Sequence, residues 1–322
     1  MTIFSRRDLV CSAAAATVLF GLDRPVRFIG SAHAQDAGAA VKPFHSFKIG
    51  DIEVTTIYDG AWQKPHDPGF IRNATVEETT AALKAAGYSG ENVPIPFTVT
   101  VVRSGGKTIM FDAGTGAQLA PTAGKLTDGM KAAGIDPARI DTIVVTHFHP
   151  DHIFGLMAKD TNAQIYPNAE IVVPAAEMAW WTDPGVFGKL PEARHGLAKR
   201  IQATLPTWKN VRIVEGEKEV VPGISAVPAF GHTAGHTVYH LGSGNDQLLV
   251  LADTSNMPAL FVRNPGWHAA FDADPQMAEA NRRKLFDRAI ADNAIVTGYH
   301  FGMPGAGRLA KDGNGYAFTP LA

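Results

Sequence analysis

The sequence predicts an α/β fold built around a mixed sheet, and three observations lead there. Apolar runs of strand length recur at 97–102, 108–111, 140–145 and 294–298, short enough to be buried strands rather than helices. Longer segments with helix caps or charged faces, such as 74–87 and 278–291, lie between them. Histidines and aspartates sit in short loops after several of these runs, from His147 to His300, and no linker separates them. We therefore expect residues 35–322 to form one domain. The 322 residues are 45% hydrophobic with a formal net charge of −2, ordinary for a globular protein with a sizeable core. Charges of both signs are interspersed and there is no basic run, which argues against a nucleic-acid partner.

The elements follow in order. Residues 1–34 read as a leader to be kept out of the fold. Ser5-Arg6-Arg7-Asp8-Leu9-Val10 is a twin-arginine pattern, an apolar region covers 11–22, and Ala32-His33-Ala34 is a small-residue cleavage site. The apolar region is shorter than the roughly 20 residues of a permanent span, so we expect cleavage after Ala34, export to the periplasm and no stable membrane anchor. Cys11 is the single cysteine and leaves with the leader, so metal binding must rest on His and carboxylate. Strands at 47–49 and 52–58 flank Gly50-Asp51, a hairpin turn. Residues 61–73, rich in Pro, Gly and aromatics, read as a loop near the mouth of the site. Thr75 can cap the helix at 74–87, Glu77 and Glu78 suit its positive end, and Gly87 stops it.

Strands 97–102 and 108–111 are joined at Ser104-Gly105-Gly106, and the second ends in Asp112-Ala113-Gly114-Thr115-Gly116. A short helix at 126–133 and a turn at 134–137 lead to the strand at 140–145; a helix is expected to start at 153–156 and a strand to cover 169–174. The stretch 177–187 is aromatic and interrupted by Pro and Gly, and Trp180 or Trp181 with Phe187 is expected to wall an apolar substrate pocket; an aromatic helix packed on the sheet is the other reading of the same residues. A helix at 192–205, strands at 211–214, 224–227, 238–241 and 247–251, the helix at 278–291 and the strand at 294–298 complete the chain.

The chemistry concentrates after the strand 140–145, in Thr146-His147-Phe148-His149-Pro150-Asp151-His152. A loop held by a rigid sheet can aim His147 and His149 one way and Asp151 and His152 another, so one segment can feed two adjacent cations. Imidazole and carboxylate together suit zinc, manganese, iron or cobalt.

That motif is followed by Gly231-His232-Thr233-Ala234-Gly235-His236, Leu251-Ala252-Asp253-Thr254 and Gly298-Tyr299-His300. The series resembles the metallo-β-lactamase superfamily. The resemblance implies an αββα sandwich, two mixed sheets flanked by helices, and two divalent metal ions, zinc before manganese, iron or cobalt. It implies His147, His149 and His232 on one metal, Asp151, His152 and His300 on the other, and Asp253 bridging them. Asp112 would orient a metal-bound histidine and His236 would be structural. With these assignments a hydroxide shared by the cations is the expected nucleophile, with Asp253 and Asp151 in the catalytic centre and Asp253 or a water protonating the leaving group.

The stretches 149–157, Tyr166-Pro167-Asn168 and 299–305 look most like the methyl parathion hydrolase and lactonase group. The resemblance implies a small apolar ester or lactone as substrate, with a lactone or aryl ester favoured over an organophosphate triester, and often a homodimer. Acyl-homoserine lactonases often carry tyrosine three residues after the bridging aspartate, where this chain has Asn256. A β-lactamase shares the expected compartment and metals, but lacks an aspartate at the position of Asp253. Glyoxalase-type thioester hydrolysis serves a cytoplasmic thiol pool, against the expected export. A non-catalytic metal-binding protein would be expected to have lost ligands, and all seven stand here.

Overall fold

A computed structural model describes residues 41–243 and 246–322; the expected leader and its cleavage site lie outside the described residues. Two seven-stranded sheets carry the fold. The first runs β1 (Phe44–Ile49), β2 (Ile52–Pro65), β3 (Asn92–Ser104), β4 (Lys107–Phe111), β5 (Thr142–Val144), β6 (Glu170–Pro174) and β7 (Val211–Val214), neighbours in space as in sequence. β1 to β4 pair antiparallel, and β4 to β7 pair parallel. The second sheet holds β8 (Glu219–Val221), β9 (Ile224–Pro228), β10 (Thr237–Ser243), β11 (Asp246–Ala252), β12 (Ile295–Gly298), β13 (Ala306–Asp312) and β14 (Gly315–Pro320), antiparallel except where β11 meets β12.

Layering follows from strands that are apolar on both faces. Side chains alternate across a strand, so successive residues feed different cores. In β5, Ile143 enters the outer core of the first sheet while Val144 enters the core between the sheets; β6 divides Ile171 and Val173 from Val172 in the same way. In β11, Leu248 and Val250 face the first sheet while Leu249 and Leu251 face outward. Burying each such side chain contributes about 1.5–3 kcal/mol, which explains why these runs lack a polar face. The outer core of the first sheet is closed by α1 (Val76–Ala85), α2 (Leu126–Ala132), α4 (Ala175–Thr182) and α5 (His195–Thr204), through Leu83, Met130, Trp181 and Ile201. A single turn, α3 (Pro150–Ile153), carries part of the opening motif, and α6 (Pro275–Ala291) covers the second sheet with Leu285, Phe286 and Ala289. This is the αββα sandwich that the motifs imply.

Local chemistry accounts for most boundaries. Ile49 pairs with Ile52 across Gly50-Asp51, the expected tight hairpin. Thr75 and Glu78 form a reciprocal capping box on α1. Two expectations are corrected. Residues 61–73 are not all loop: β2 continues to Pro65 and pairs with a β3 that begins at Asn92. Pro94 and Pro96 are tolerated inside β3 because Thr98, of the same parity, points its N–H away from β2 to Tyr299, so the missing donors face the unpaired side. The helix expected from 153–156 begins earlier, with Pro150 in its first turn. Proline is favoured there because that N–H has no helical partner.

Candidate metal centre

The opening motif leaves the end of β5, a central parallel strand, and is held from below by Asp112 at the end of β4. Asp112 accepts from the Thr146 backbone N–H at 2.8 Å through Oδ1, and from the Thr146 hydroxyl at 2.8 Å and His152 Nδ1 at 2.7 Å through Oδ2. The Thr146 hydroxyl, committed as a donor to Asp112, accepts from His147 Nδ1 at 3.0 Å. One buried carboxylate thereby fixes the rings of both histidines with their Nε2 atoms facing the same space. Tyr299 stacks on His152 at 3.8 Å and donates its hydroxyl to the Asp151 carbonyl at 2.5 Å.

The second sheet delivers the remaining groups. His232 follows β9 and donates Nδ1–H to Asp272 at 2.9 Å; His300 follows β12 and donates Nδ1–H to the Pro96 carbonyl at 2.8 Å. Asp253 follows β11, where Ala252 takes a φ of +45°. His236 uses both nitrogens, Nδ1–H toward the Ala229 carbonyl at 3.1 Å and Nε2 as acceptor for the Asp253 N–H at 3.2 Å. No ring nitrogen of His236 is left for a cation; it seats Asp253.

Two donor sets result, His147, His149, His232 and Asp253, and Asp151, His152, Asp253 and His300, each with ligand atoms within 4.8 Å of one another. In the first, His149 Nδ1 lies 3.0 Å from His147 Nε2 and 2.9 Å from His232 Nε2, and Asp253 Oδ2 lies 3.3 Å from His232 Nε2. In the second, His152 Nε2 lies 3.4 Å from Asp151 Oδ2 and 3.2 Å from Asp253 Oδ1, and His300 Nε2 lies 3.5 Å from Asp151 Oδ2 and 3.0 Å from Asp253 Oδ2. Tetrahedral bonds of about 2.0–2.1 Å put ligand atoms about 3.4 Å apart, close to these spacings. His152 Nε2 and Asp253 Oδ1 are buried without a hydrogen-bond partner, which a buried polar atom rarely tolerates. The donor chemistry, the spacing and these orphaned atoms all fit a pair of divalent cations that share Asp253.

Electrostatics agree. Burial opposes charge on Asp253, yet His300 and His152 hold its carboxyl well below the usual carboxylate range. Burial likewise lowers His152, but Asp253, Asp151 and Asp112 pull it well above an ordinary imidazole. For His232, Asp253 and Asp272 outweigh burial and raise it to about 9, while burial and the neighbouring His232 push His236 down to about 3. The protons on His152 and His232 balance carboxylates, the task a metal ion would take over.

Above the donors opens a cavity of about 320 Å³ with apolar walls: Trp62, Ile95, Phe97, Leu119, Leu197 and Phe271. Among the described residues, Arg194 is the one arginine or lysine lining it and Asn256 the one neutral polar side chain. The expected pocket wall is corrected here. Trp181 is 1% exposed and donates Nε1–H to Glu177, Trp180 lies against the core under Lys189, and Phe187 packs on His195; none of the three lines the cavity. Trp180 and Trp181 lie on α4, which packs on the first sheet, and Phe187 lies in a short helical turn, Pro184–Gly188, beyond it. Trp62 was placed near the mouth by sequence but as loop. Asp272 had no legible signal: it lies 40 residues beyond His232 in an unremarkable turn.

Residues 95–298 match the Metallo-beta-lactamase superfamily. The chain belongs to that superfamily. An N-acyl homoserine lactonase from a Bacillus species is 25% identical over 160 residues, 50% of this chain and 56% of the relative, so the match spans little more than half of that protein. Among solved structures, AidC, a dizinc quorum-quenching lactonase in complex with a product, superposes with a TM-score of 0.82 at 24% identity, covering 88% of this chain and 99% of that one. The hydrolase AbOPH of the β-lactamase superfamily gives 0.81 at 23% identity over 88% and 99%. At these identities both likenesses speak for the fold.

Proposed function

We propose that this superfamily member is a dinuclear metal-dependent hydrolase that opens lactones or cleaves small aryl esters, with zinc as the resident ion. The observation that carries the reading is one carboxylate, Asp253, shared by two complete donor sets at the floor of an apolar cavity. When bound, the two cations supply Lewis acidity that brings water toward ionisation near neutral pH and polarises an ester carbonyl. Asp253, kept ionised by His300 and His152, stands where it or a second water would hand a proton to the departing alkoxide. Trp62, Leu119, Leu197 and Phe271 seat an alkyl or aryl group and exclude bulk water. Among the described residues the Arg194 guanidinium hydrogen-bonds the outer nitrogen of His149, at 3.3 Å. That nitrogen carries a proton once Nδ1 is a ligand, so the guanidinium turns to an oxygen acceptor on the substrate. The homoserine lactones named for related proteins offer a carbonyl and an apolar chain that fit this wall and this cation.

Metal content by mass spectrometry, paired with hydrolysis of dihydrocoumarin, a long-chain acyl-homoserine lactone and methyl paraoxon, tests the proposal. Two equivalents of metal and the highest kcat/KM on a lactone are expected; turnover of none of the three overturns it. Fast methyl paraoxon hydrolysis would favour a phosphotriesterase, and nitrocefin turnover a β-lactamase. We further propose twin-arginine export to the periplasm, which an intact Met1 on secreted material would refute.

A further inference from the structure

Glu177 is a fully buried carboxylate that takes no part in the chemistry above, yet it joins the two loops that form the three-histidine donor set. Its Oε1 accepts from the backbone N–H of Phe148, between His147 and His149, at 2.9 Å, and from Trp181 Nε1–H at 2.7 Å. Its Oε2 accepts from the Thr233 hydroxyl at 2.7 Å and the Gly235 N–H at 2.8 Å, in the loop that carries His232. The loop lies directly on the first turn of α4: a Cβ on Gly235 would stand 2.0 Å from the Glu177 backbone nitrogen. Three of the four donors are N–H groups that cannot reverse, so only an acceptor-only side chain satisfies them all. The other donor set makes no contact with Glu177: Tyr299 holds Asp151 and the Pro96 carbonyl holds His300, while Asp112 serves both sets, reaching His152 directly and His147 through Thr146.

We infer that Glu177 is a positioning residue that holds the 147–149 and 232–235 loops in register and thereby sets the affinity of the three-histidine site alone. The inference rests on the metal-binding reading of the two donor sets. In Glu177→Gln the amide nitrogen faces Phe148 and Trp181, or Gly235 and Thr233, and either way at least one N–H meets N–H. The loops must then separate, and the affinity of one metal falls by about 10–100-fold, as for lost support around a ligand.

The test equilibrates zinc-loaded wild-type protein and Glu177→Gln with rising concentrations of a competing chelator and counts metal equivalents by mass spectrometry, with cobalt spectra reporting which donor set empties. The variant is expected to lose one equivalent at a chelator concentration where wild type keeps both, and to hold the second as wild type does. Trp181→Phe, which removes a donor outside both loops, is expected to lower thermal stability and keep both equivalents. If Glu177→Gln does not fold, Thr233→Val is expected to weaken the same single equivalent by a few-fold. Equal weakening of both equivalents, no change in either, or the same selective loss in Trp181→Phe overturns the inference while the hydrolase reading stands. A wild-type protein that binds no metal overturns both.

Discussion

Asp272 offers the sharpest separation of metal binding from folding, because its two oxygens serve different partners. Oδ1 accepts from His232 Nδ1 at 2.9 Å, and Oδ2 faces the guanidinium of Arg282 at 3.4 Å, with both side chains 2% exposed. Asp272→Ala removes both. Freed of its acceptor, His232 loses orientation and basicity, which for a ligand's partner costs about 10–100-fold in metal affinity, or ~1.4–2.8 kcal/mol. Breaking a buried ion pair costs about 3–5 kcal/mol. Arg282 keeps the Thr254, Pro265 and Trp267 carbonyls as acceptors, so the low end, about 3 kcal/mol, is expected for the metal-free protein. At about 2.1 cal/mol/K of unfolding entropy per residue, that is a Tm drop of roughly 5 °C for a domain of this size. Asp272→Asn keeps a carbonyl oxygen for His232 but turns an amide N–H toward Arg282. It is expected to lose most of the same stability while metal affinity stays within about threefold. Chelator competition and calorimetric melting of the metal-free proteins measure the two effects separately. Unchanged metal affinity in Asp272→Ala would refute the claim that Asp272 positions His232, and an unchanged Tm would refute the pairing with Arg282.

Other substitutions probe the rest of the site. Phe271→Ala strips a cavity wall and is expected to raise KM for an apolar lactone about tenfold, whereas Trp180→Ala and Phe187→Ala should leave KM within about twofold; the opposite ranking in steady-state kinetics would restore the pocket expected from sequence. Gly155→Ala would set a Cβ 1.8 Å from the Ala113 carbonyl oxygen behind the opening motif, so a loss above about 3 kcal/mol is expected. Gly188→Ala, which meets nothing within 4 Å, should melt like wild type. Metal uptake is also linked to pH. The protons on His152, raised well above an ordinary imidazole, and on His232, held with a pKa of about 9, compete with the cations, so apparent affinity should rise with pH from neutrality through about 9. Calorimetric titrations near neutral pH in buffers of different ionisation enthalpy should register net proton release; uptake of protons would contradict the sign.

Much of the fold was legible because its signals are local. The hairpin at Gly50-Asp51, the capping box of Thr75 and Glu78, and the doubly apolar runs around Ile143 and Leu249 each express a constraint within a few residues. Candidate ligands were legible for the same reason where they share one loop, as His147, His149, Asp151 and His152 do, whereas His232, Asp253 and His300 stand far apart in the chain and were expected only through the resemblance to the metallo-β-lactamase superfamily. The β2 extension was missed because Pro94 and Pro96 break strands unless their missing donors face an unpaired side, and pairing is a tertiary fact.

By itself, then, the chain dictates which side chains can bind a cation and which runs are buried, since residue type and short periodicity suffice for both. Only the folded structure decides which oxygen sits behind each imidazole, that His236 is used up between Ala229 and Asp253, that Asp272 supports His232 and Glu177 ties two loops, and that Trp62 rather than Trp181 lines the cavity above the donors. Those outcomes depend on contacts between residues tens of positions apart. That Trp181 is buried whole is set by the sheet beneath it, and no periodicity in its own segment encodes where that sheet lies.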